Sequence, residues 1–455
     1  MNEIVKKGSN IELDIAQNIS MSKTLAFYNG MKVFIEGGYE GQKAEVKITK
    51  MKQSRWEGKA VRTIAPAAFE KEAPCEKFGV CGGCRFLDCE YEKQLELKSR
   101  YVSQMLNRSY PSCTIEDVIA SPNIYHYRNK MEFSFGDSEK DGPLELGLHA
   151  KGKHHDIVSS EFCYICPEDF SAIANAVKEH FRHMGAAPYK VIAREGWLRH
   201  LILRQSEASG EILVGLVTTS SQKLRVEAFI DCLLSLSLEG SIAGIVHIQN
   251  DSYSDAVIIE KPVLLYGKGS IEEHVLGVRL KLAIDCFMQT NTKGMQLLYS
   301  KALEYAQSTN ASVSALDLYC GIGSIGLVLS RAFRSVYGVE IVQASIESAR
   351  ENAIINNIGN ARFEASDVKD FLKSNKEKFD LIALDPPRAG LGKKVCEQVA
   401  KLKAPAIVYV SCKPQSLMHD LESFEEYGYK PTIACPVDLF PHTEHVETVA
   451  LMQKQ

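Results

Sequence analysis

Residues 315–326 read Ala315-Leu-Asp317-Leu-Tyr319-Cys-Gly321-Ile-Gly323-Ser-Ile-Gly326, and the run that follows closes at Val336-Tyr-Gly-Val-Glu340. The pattern predicts an apolar strand ending at Asp317, a glycine-rich turn, a helix from near Ser324, and a second strand ending in a carboxylate. Glycine belongs where the backbone turns sharply and must meet a ligand with no Cβ between them. A carboxylate closing the second strand can accept hydrogen bonds from ribose hydroxyls. The stretch reads as the site of a nucleoside-bearing cofactor.

Two cofactors suit it. Gly321-x-Gly323-x-x-Gly326, with Glu340 downstream, matches the dinucleotide fingerprint. Asp317, four residues before the first glycine, instead gives Asp-x-x-x-Gly-x-Gly, the opening motif of S-adenosylmethionine-dependent methyltransferases. A carboxylate there suits a cationic sulfonium, whereas a pyrophosphate wants bare helix N–H groups. A tight turn without any ligand can carry the same short motif, so the decision falls to residues downstream.

The chain has 455 residues, enough for two or three domains, and a formal net charge of -4. No global polycation advertises nucleic acid, so any basic surface must be local. The N-terminus has no long apolar run and no stretch approaches the roughly 18 apolar residues of a membrane helix. A soluble, cytoplasmic, monomeric chain is the expectation. Thirteen cysteines in a reducing compartment point to a metal or to catalysis rather than to disulfides.

Residues 1–66 alternate as short strands of a small β-barrel. Lys43 to Arg62 holds seven basic residues against two acidic ones; Lys47 and Arg55 are candidate phosphate contacts, although a solvated barrel face would look similar. Cys75, Cys81 and Cys84 follow in the pattern C-x5-C-G-G-C. With Cys163-x-x-Cys166, Cys81 and Cys84 would make two zinc hooks. Alternatively Cys75, Cys81, Cys84 and one remote cysteine would hold a 4Fe-4S cluster. Tyr91–Leu106 reads as an amphipathic helix with Leu95, Tyr101 and Met105 inward. Tyr125-His-Tyr-Arg128-Asn-Lys130 opens a strand whose rings and cations could clamp bases. Residues 67–280 form a mixed α/β domain by this reading.

From residue 281 helices and strands alternate, which predicts a doubly wound, Rossmann-like sheet with ligands at the strands' carboxyl ends. Three polar groups fall at such ends: Asp385-Pro-Pro-Arg388, Ser411-Cys412-Lys-Pro, and Phe440-Pro-His-Thr-Glu-His-Val-Glu447. Carbon 5 of uracil is a poor nucleophile. A thiolate adding to carbon 6 activates it, and a base must then remove the carbon 5 proton. Cys412 as nucleophile, Glu447 as base and Asp385 beside both supply those needs; the uridine must leave its stack to reach them.

With those motifs assembled, the chain resembles the bacterial RNA 5-methyluridine (uracil-C5) methyltransferase family, particularly its 23S ribosomal RNA members with a TRAM barrel and an iron–sulfur cluster. The likeness runs through C-x5-C-G-G-C with Cys163, Tyr-Arg-Asn-Lys, Met288-Gln289-x-Asn291, the glycine turn, Asp-Pro-Pro-Arg-x-Gly, Ser-Cys-x-Pro and Phe-Pro-x-Thr-x-His-Val-Glu. It implies a 4Fe-4S cluster on Cys75, Cys81, Cys84 and Cys163. It implies a methyl-donor site lined by Gln289, Tyr319, Glu340 and Asp385, joined here by Asp317, Gly321, Gly323 and Asp367. Transfer RNA is the alternative substrate, and an iron–sulfur oxidoreductase using NAD is the alternative of a different class. The family usually has Asn after the nucleophile and Thr-Leu-Ala-Arg-Asp beyond it, where this chain has Lys413-Pro-Gln-Ser416-Leu-Met-His419-Asp420.

Overall fold

The computed structural model describes residues 5–139, 142–153, 155–255, 259 and 262–455. The N-terminal strands β1 (Asn10–Asn18), β2 (Lys23–Tyr28), β3 (Met31–Glu36), β4 (Lys43–Lys52) and β5 (Arg55–Ala65) close into a barrel in the order β1-β2-β3-β5-β4. Alternation explains it: Leu13, Ile15, Val33, Ile35, Val46 and Ile48 point inward, and their neighbours face solvent.

A linking stretch then carries helix α1 (Tyr91–Ser109) and the short strand β6 (Thr114–Ile115). Next come β7 (Lys130–Gly136), β8 (Glu145–His149), β9 (Ile157–Val158), helix α2 (Glu168–His183), β10 (Leu198–Gln205), β11 (Glu211–Thr218), helix α3 (Val226–Leu234), β12 (Ser241–Gln249) and β13 (Val263–Gly267). Among the described residues these strands make a seven-stranded sheet, β13-β12-β11-β10-β7-β8-β9. Leu201, Leu203, Ile212 and Val214 pack towards α2 and α3, while Ile202, Leu213 and Val217 pack the other way, into the core shared with the C-terminal domain. Burial on both faces is why β11 reads as a near-continuous apolar run; β10 is as buried but carries Arg199, His200 and Arg204.

The hairpin β14 (Ser270–Val275) and β15 (Val278–Ala283) leads to α4 (Thr292–Ser308), β16 (Ser314–Leu318), α5 (Ser324–Leu329), β17 (Ser335–Glu340), α6 (Gln343–Ile355), β18 (Ala361–Ala365), α7 (Val368–Ser374), β19 (Leu381–Leu384), α8 (Lys393–Lys401), β20 (Ala406–Ser411), α9 (Pro414–Glu425), β21 (Tyr429–Val437) and β22 (Glu447–Lys454). The sheet order is β18-β17-β16-β19-β20-β22-β21-β6. Strands β16 to β20 run parallel and β22 antiparallel. Ala315 faces the core on the α4–α6 side, and Leu316 and Leu318 face the α1, α7–α9 side. This is the doubly wound sheet expected from the alternating pattern.

Two expectations change. Helix α1 buries Gln94, Leu97, Lys98, Val102 and Leu106 most deeply; of the expected stripe, Tyr101 and Met105 pack against the core half-buried, so the buried face is wider than expected and includes two polar residues. The difference is tertiary: α1 docks on the C-terminal sheet, where Lys98 finds a buried carboxylate, and β6 adds to that sheet beside β21. The segment opening at Tyr125 becomes a strand only from Lys130; before it His126 is left-handed at φ 52°, and Arg128 N–H donates to Ile165 O at 2.8 Å instead of joining a ladder.

Candidate active site

The glycine turn is built as its spacing requires. Gly323, at φ 82°, caps α5; a Cβ on it would stand 2.9 Å from Phe363 Cζ and 3.0 Å from Ala349 Cβ. Around Gly321 there is open space where a Cβ would be. Tyr319 is also left-handed, at φ 66°, which puts a non-glycine side chain in a strained conformation of the kind that clusters at ligand sites. Asp317 is fully buried with both carboxylate oxygens unpartnered. Burial, with Asp385 and Glu340 nearby, raises its pKa to about 8 against the pull of the Gly326 backbone N–H, which approaches the carboxylate without completing a hydrogen bond.

Glu340 accepts from the N–H groups of Gly321 at 3.3 Å, Ile341 at 2.9 Å and Val342 at 3.0 Å. The two apolar side chains beside it, Ile341 and Val342, lie exposed. The sequence reading missed them; an apolar pair following a strand-end carboxylate is the signal that could have found them. Asp367 caps α7 through Lys369 N–H at 2.8 Å, so part of its carboxylate serves the helix. Gln289 is buried, and Phe287 two residues earlier is exposed.

Cys412, Glu447 and Asp385 meet because of strand register. In the antiparallel pair β20–β22, Ser411 lies opposite Thr448, so Cys412, just past the end of β20, and Glu447, the first residue of β22, fall at the same end of the sheet. In the parallel pair β19–β20, Leu384 lies beside Tyr409, which puts Asp385 one strand over. Crowding acids in a low-dielectric pocket favours their neutral forms. Burial raises Asp385 to about 7. Burial and Asp385 raise Glu447 to about 8, against the pull of Arg388. Burial, Glu447 and Asp385 raise the Cys412 thiol to about 11, again opposed by Arg388.

The loop after Asp385 is fixed from α9. Ser416 Oγ donates to Arg388 O at 2.9 Å, and Asp420 accepts from Leu391 N–H at 2.7 Å, Gly392 N–H at 3.0 Å and the Tyr409 hydroxyl at 2.6 Å. Ser416 and Asp420 lie in the stretch that departs from the usual family pattern, yet they face inward and hold the Asp-Pro-Pro-Arg loop.

Cys412 opens onto a cleft of about 480 Å³ of empty space, lined also by Arg388, Lys413, His445 and, from the barrel, Ser20 to Ser22. Ser22 and Glu444 are shared with a wider groove of about 1210 Å³ that carries Lys23, Lys59, Arg62, Arg85 and Lys151, with Glu36 and Asp88 among them. Lys47 and Arg55 are exposed on the barrel but do not line this groove. Arg128 is partly buried, and Lys130 is folded onto Glu132 at 3.0 Å with its pKa lowered by burial.

Cys75, Cys81, Cys84 and Cys163 line one recess with Phe78, Leu87 and Phe162. Gly83 N–H donates to Cys81 Sγ at 3.4 Å. Cys166 is fully buried, and its thiol donates to Cys163 O at 3.7 Å. Among the described residues no three His, Cys, Asp or Glu side chains are already disposed to hold a metal ion.

A doubly wound sheet, a glycine turn at the end of its first strand and a pocket at the carboxyl ends together define a Rossmann-like methyltransferase. The sequence model of the family described as tRNA (Uracil-5-)-methyltransferase matches residues 270–455. Uncharacterized RNA methyltransferases of Clostridium tetani and Clostridium acetobutylicum are each 40% identical, the first over 99% of both chains and the second over 95% of this chain and 94% of the relative. One from Caldanaerobacter subterraneus subsp. tengcongensis is 36% identical over 98% of this chain and 99% of its own. The chain belongs to the RNA uracil-5 methyltransferase family and is an enzyme that methylates RNA. The Pyrococcus abyssi tRNA (uracil-54, C5)-methyltransferase, solved with S-adenosyl-L-homocysteine, superposes with a TM-score of 0.75 at 24% identity, covering 97% of this chain and 99% of that one. It shares the fold.

Proposed function

We propose that this enzyme methylates carbon 5 of a uridine in RNA, with 23S ribosomal RNA as substrate, through a covalent bond between Cys412 and carbon 6. The observation that carries the reading is that Cys412 and Glu447 flank the Ser411–Thr448 pair at one end of the sheet, one strand from Asp385, close enough for both carboxylates to act on the thiol. S-adenosylmethionine, when bound, supplies an electrophilic methyl group. The residues present suit it: Asp317 has unpartnered buried oxygens, Gly321 leaves open space, and Ile341 and Val342 offer an apolar seat beside the carboxylate of Glu340.

Cys412 adds to carbon 6 as the thiolate, and the electron pair of the 5,6 double bond moves towards the carbon 4 oxygen. Carbon 5 is then nucleophilic and takes the methyl group. Glu447, ionised, removes the carbon 5 proton; the double bond re-forms and the carbon–sulfur bond breaks, with sulfur keeping its electron pair. Asp385 stands beside both groups and holds the Glu447 pKa up. Arg388 is the cation that favours the thiolate.

The cationic groove running from the barrel to the Cys412 cleft supports an RNA strand tracking across both. The cysteine recess supports a 4Fe-4S cluster over two zinc hooks. It is lined by Cys75 and is apolar, it offers an N–H to one sulfur, and Cys166 is not on its wall. The cluster chemistry itself enters no step above.

The test uses RNA transcribed in vitro with 5-fluorouridine, since fluorine cannot leave carbon 5 as a cation. A 23S ribosomal RNA transcript should give a denaturation-resistant adduct with S-adenosylmethionine, and Cys412→Ala should give none. An adduct with transfer RNA transcripts alone would move the substrate to transfer RNA. An adduct that survives Cys412→Ala would refute the nucleophile.

A further inference from the structure

The loop that delivers Glu447 runs from Asp438 to Val446, between the end of β21 and the start of β22. Glu447 itself is buried, and its Oε2 has no hydrogen-bond partner. No side chain aims that oxygen; the backbone of Glu447 is fixed on one side by its pairing with Val437 at the start of β22 and on the other by how the preceding loop is held. The holding groups come from far away in sequence. Lys98 donates to Asp438 Oδ1 at 2.6 Å and to Phe440 O at 3.0 Å. The Tyr127 hydroxyl donates to Pro441 O at 2.9 Å. The densest junction is at His442, which is fully buried and left-handed at φ 64°.

One carboxamide organises that junction. Gln94 Oε1 accepts from His442 N–H at 2.8 Å, and its Nε2 lies 3.1 Å from His442 Nδ1. The same Nε2 donates to Phe86 O at 3.0 Å and Cys89 O at 2.8 Å. Arg85 and Phe86 N–H groups donate to His442 O at 2.7 and 3.0 Å, immediately after Cys84. The other ring contact of His442 is a stack on Tyr125 at 4.8 Å. Burial lowers the His442 pKa to about 4, in keeping with a neutral imidazole held as a fixed joint.

We propose that Gln94 is a positioning residue for the release step: through His442 it locks the loop carrying Glu447 onto the cysteine-bearing loop at residues 81–89. This rests on the assignment of Glu447 as the base. Proton removal at carbon 5 is the step in which that carboxylate takes part directly, so loosening the joint acts there first, while methyl-donor binding and attack by Cys412 use side chains outside the loop. It slows the step in which the carbon 5 proton passes to Glu447, the double bond re-forms and sulfur departs.

The experiment compares the full-length wild type, Gln94→Met, His442→Gly and Glu447→Gln on in vitro transcribed 23S ribosomal RNA and transfer RNA. Glycine accepts φ 64° and keeps the backbone contacts to Gln94, Arg85 and Phe86, so His442→Gly removes only the ring's contacts with Gln94 and Tyr125 and loosens the joint by that half even if Gln94→Met does not fold. Binding of S-adenosyl-L-homocysteine and adduct formation on 5-fluorouridine RNA should stay within about 2-fold of wild type. Release should fall about 10-fold or more, part of the roughly 10²–10⁴ a general base supplies, so that ordinary RNA accumulates as a methylated adduct. If Glu447→Gln traps that adduct while Gln94→Met and His442→Gly do not, the joint has no positioning role. If both joint variants slow adduct formation as much as release, the effect is general unfolding and the proposal fails. If Glu447→Gln traps nothing, the base assignment falls and takes this inference with it.

Discussion

Replacing Lys98 with methionine should be among the most damaging single changes outside the site. Its ammonium and the Asp438 carboxylate are both fully buried, 2.6 Å apart, and Asp438 Oδ2 already lacks a partner. Burial pushes the Lys98 pKa down while Asp438 pushes it back up, so the pair exists only as a unit. Removing one member leaves an uncompensated charge, which costs about 3–5 kcal/mol. For a domain of this size that corresponds to a fall in Tm of roughly 6–20 °C. Lys98→Met/Asp438→Leu should regain most of that loss, since an apolar replacement removes both desolvation penalties. The pH dependence has a definite sign. An unpaired buried carboxyl has its folded pKa raised above the unfolded value near about 4. Its penalty is therefore full above that raised folded pKa, fades as pH falls from there towards about 4, and is gone below about 4, where the group is protonated in both states. Thermal unfolding of the four proteins of the cycle at several pH values is the assay. A Lys98→Met variant melting within about 2 °C of wild type at pH 7.5, or a double variant no better than the single, would refute the reasoning.

Gly323→Ala should weaken S-adenosyl-L-homocysteine binding at least about 10-fold by calorimetry, because a Cβ at φ 82° would press on Phe363 and Ala349; unchanged affinity would mean the turn does not shape the donor site. Glu447 titrates at about 8, and only its ionised form can take a proton, so single-turnover release of methylated RNA should rise with pH through about 8 and then level off. A flat profile from pH 6 to 9 would assign the base elsewhere. Protein purified without oxygen should be brown, with iron and sulfide near about four each per chain. Cys75→Ser or Cys163→Ser should lose the colour and Cys166→Ser should keep it; colourless protein with tightly bound zinc would restore the two-hook arrangement.

Local pattern was enough to determine the catalytic half of this protein. Strand, glycine turn, helix and strand-end acid at residues 315–340 form one contiguous unit, and φ > 0 at Gly321 and Gly323 follows from sterics that act within a few residues. Asp385 and Cys412 follow β19 and β20 at one end of the sheet because parallel strands all end on one side; Glu447 was expected at such a carboxyl end too, but it opens β22, which runs antiparallel, and reaches that end by its first residue. What distance in sequence conceals came only with the tertiary structure. The inward face of α1 was read only in part: Tyr101 and Met105 do pack on the core, but Gln94 and Lys98 are polar, and a hydrophobicity pattern assigns such residues to solvent. Their partners His442 and Asp438 lie 348 and 340 residues away. Lys130 counted as a free cation until Glu132 and its own burial were seen. The raised pKa values of Asp385, Glu447 and Cys412 come first from burial, to which register adds the neighbouring carboxylates for Glu447 and Cys412.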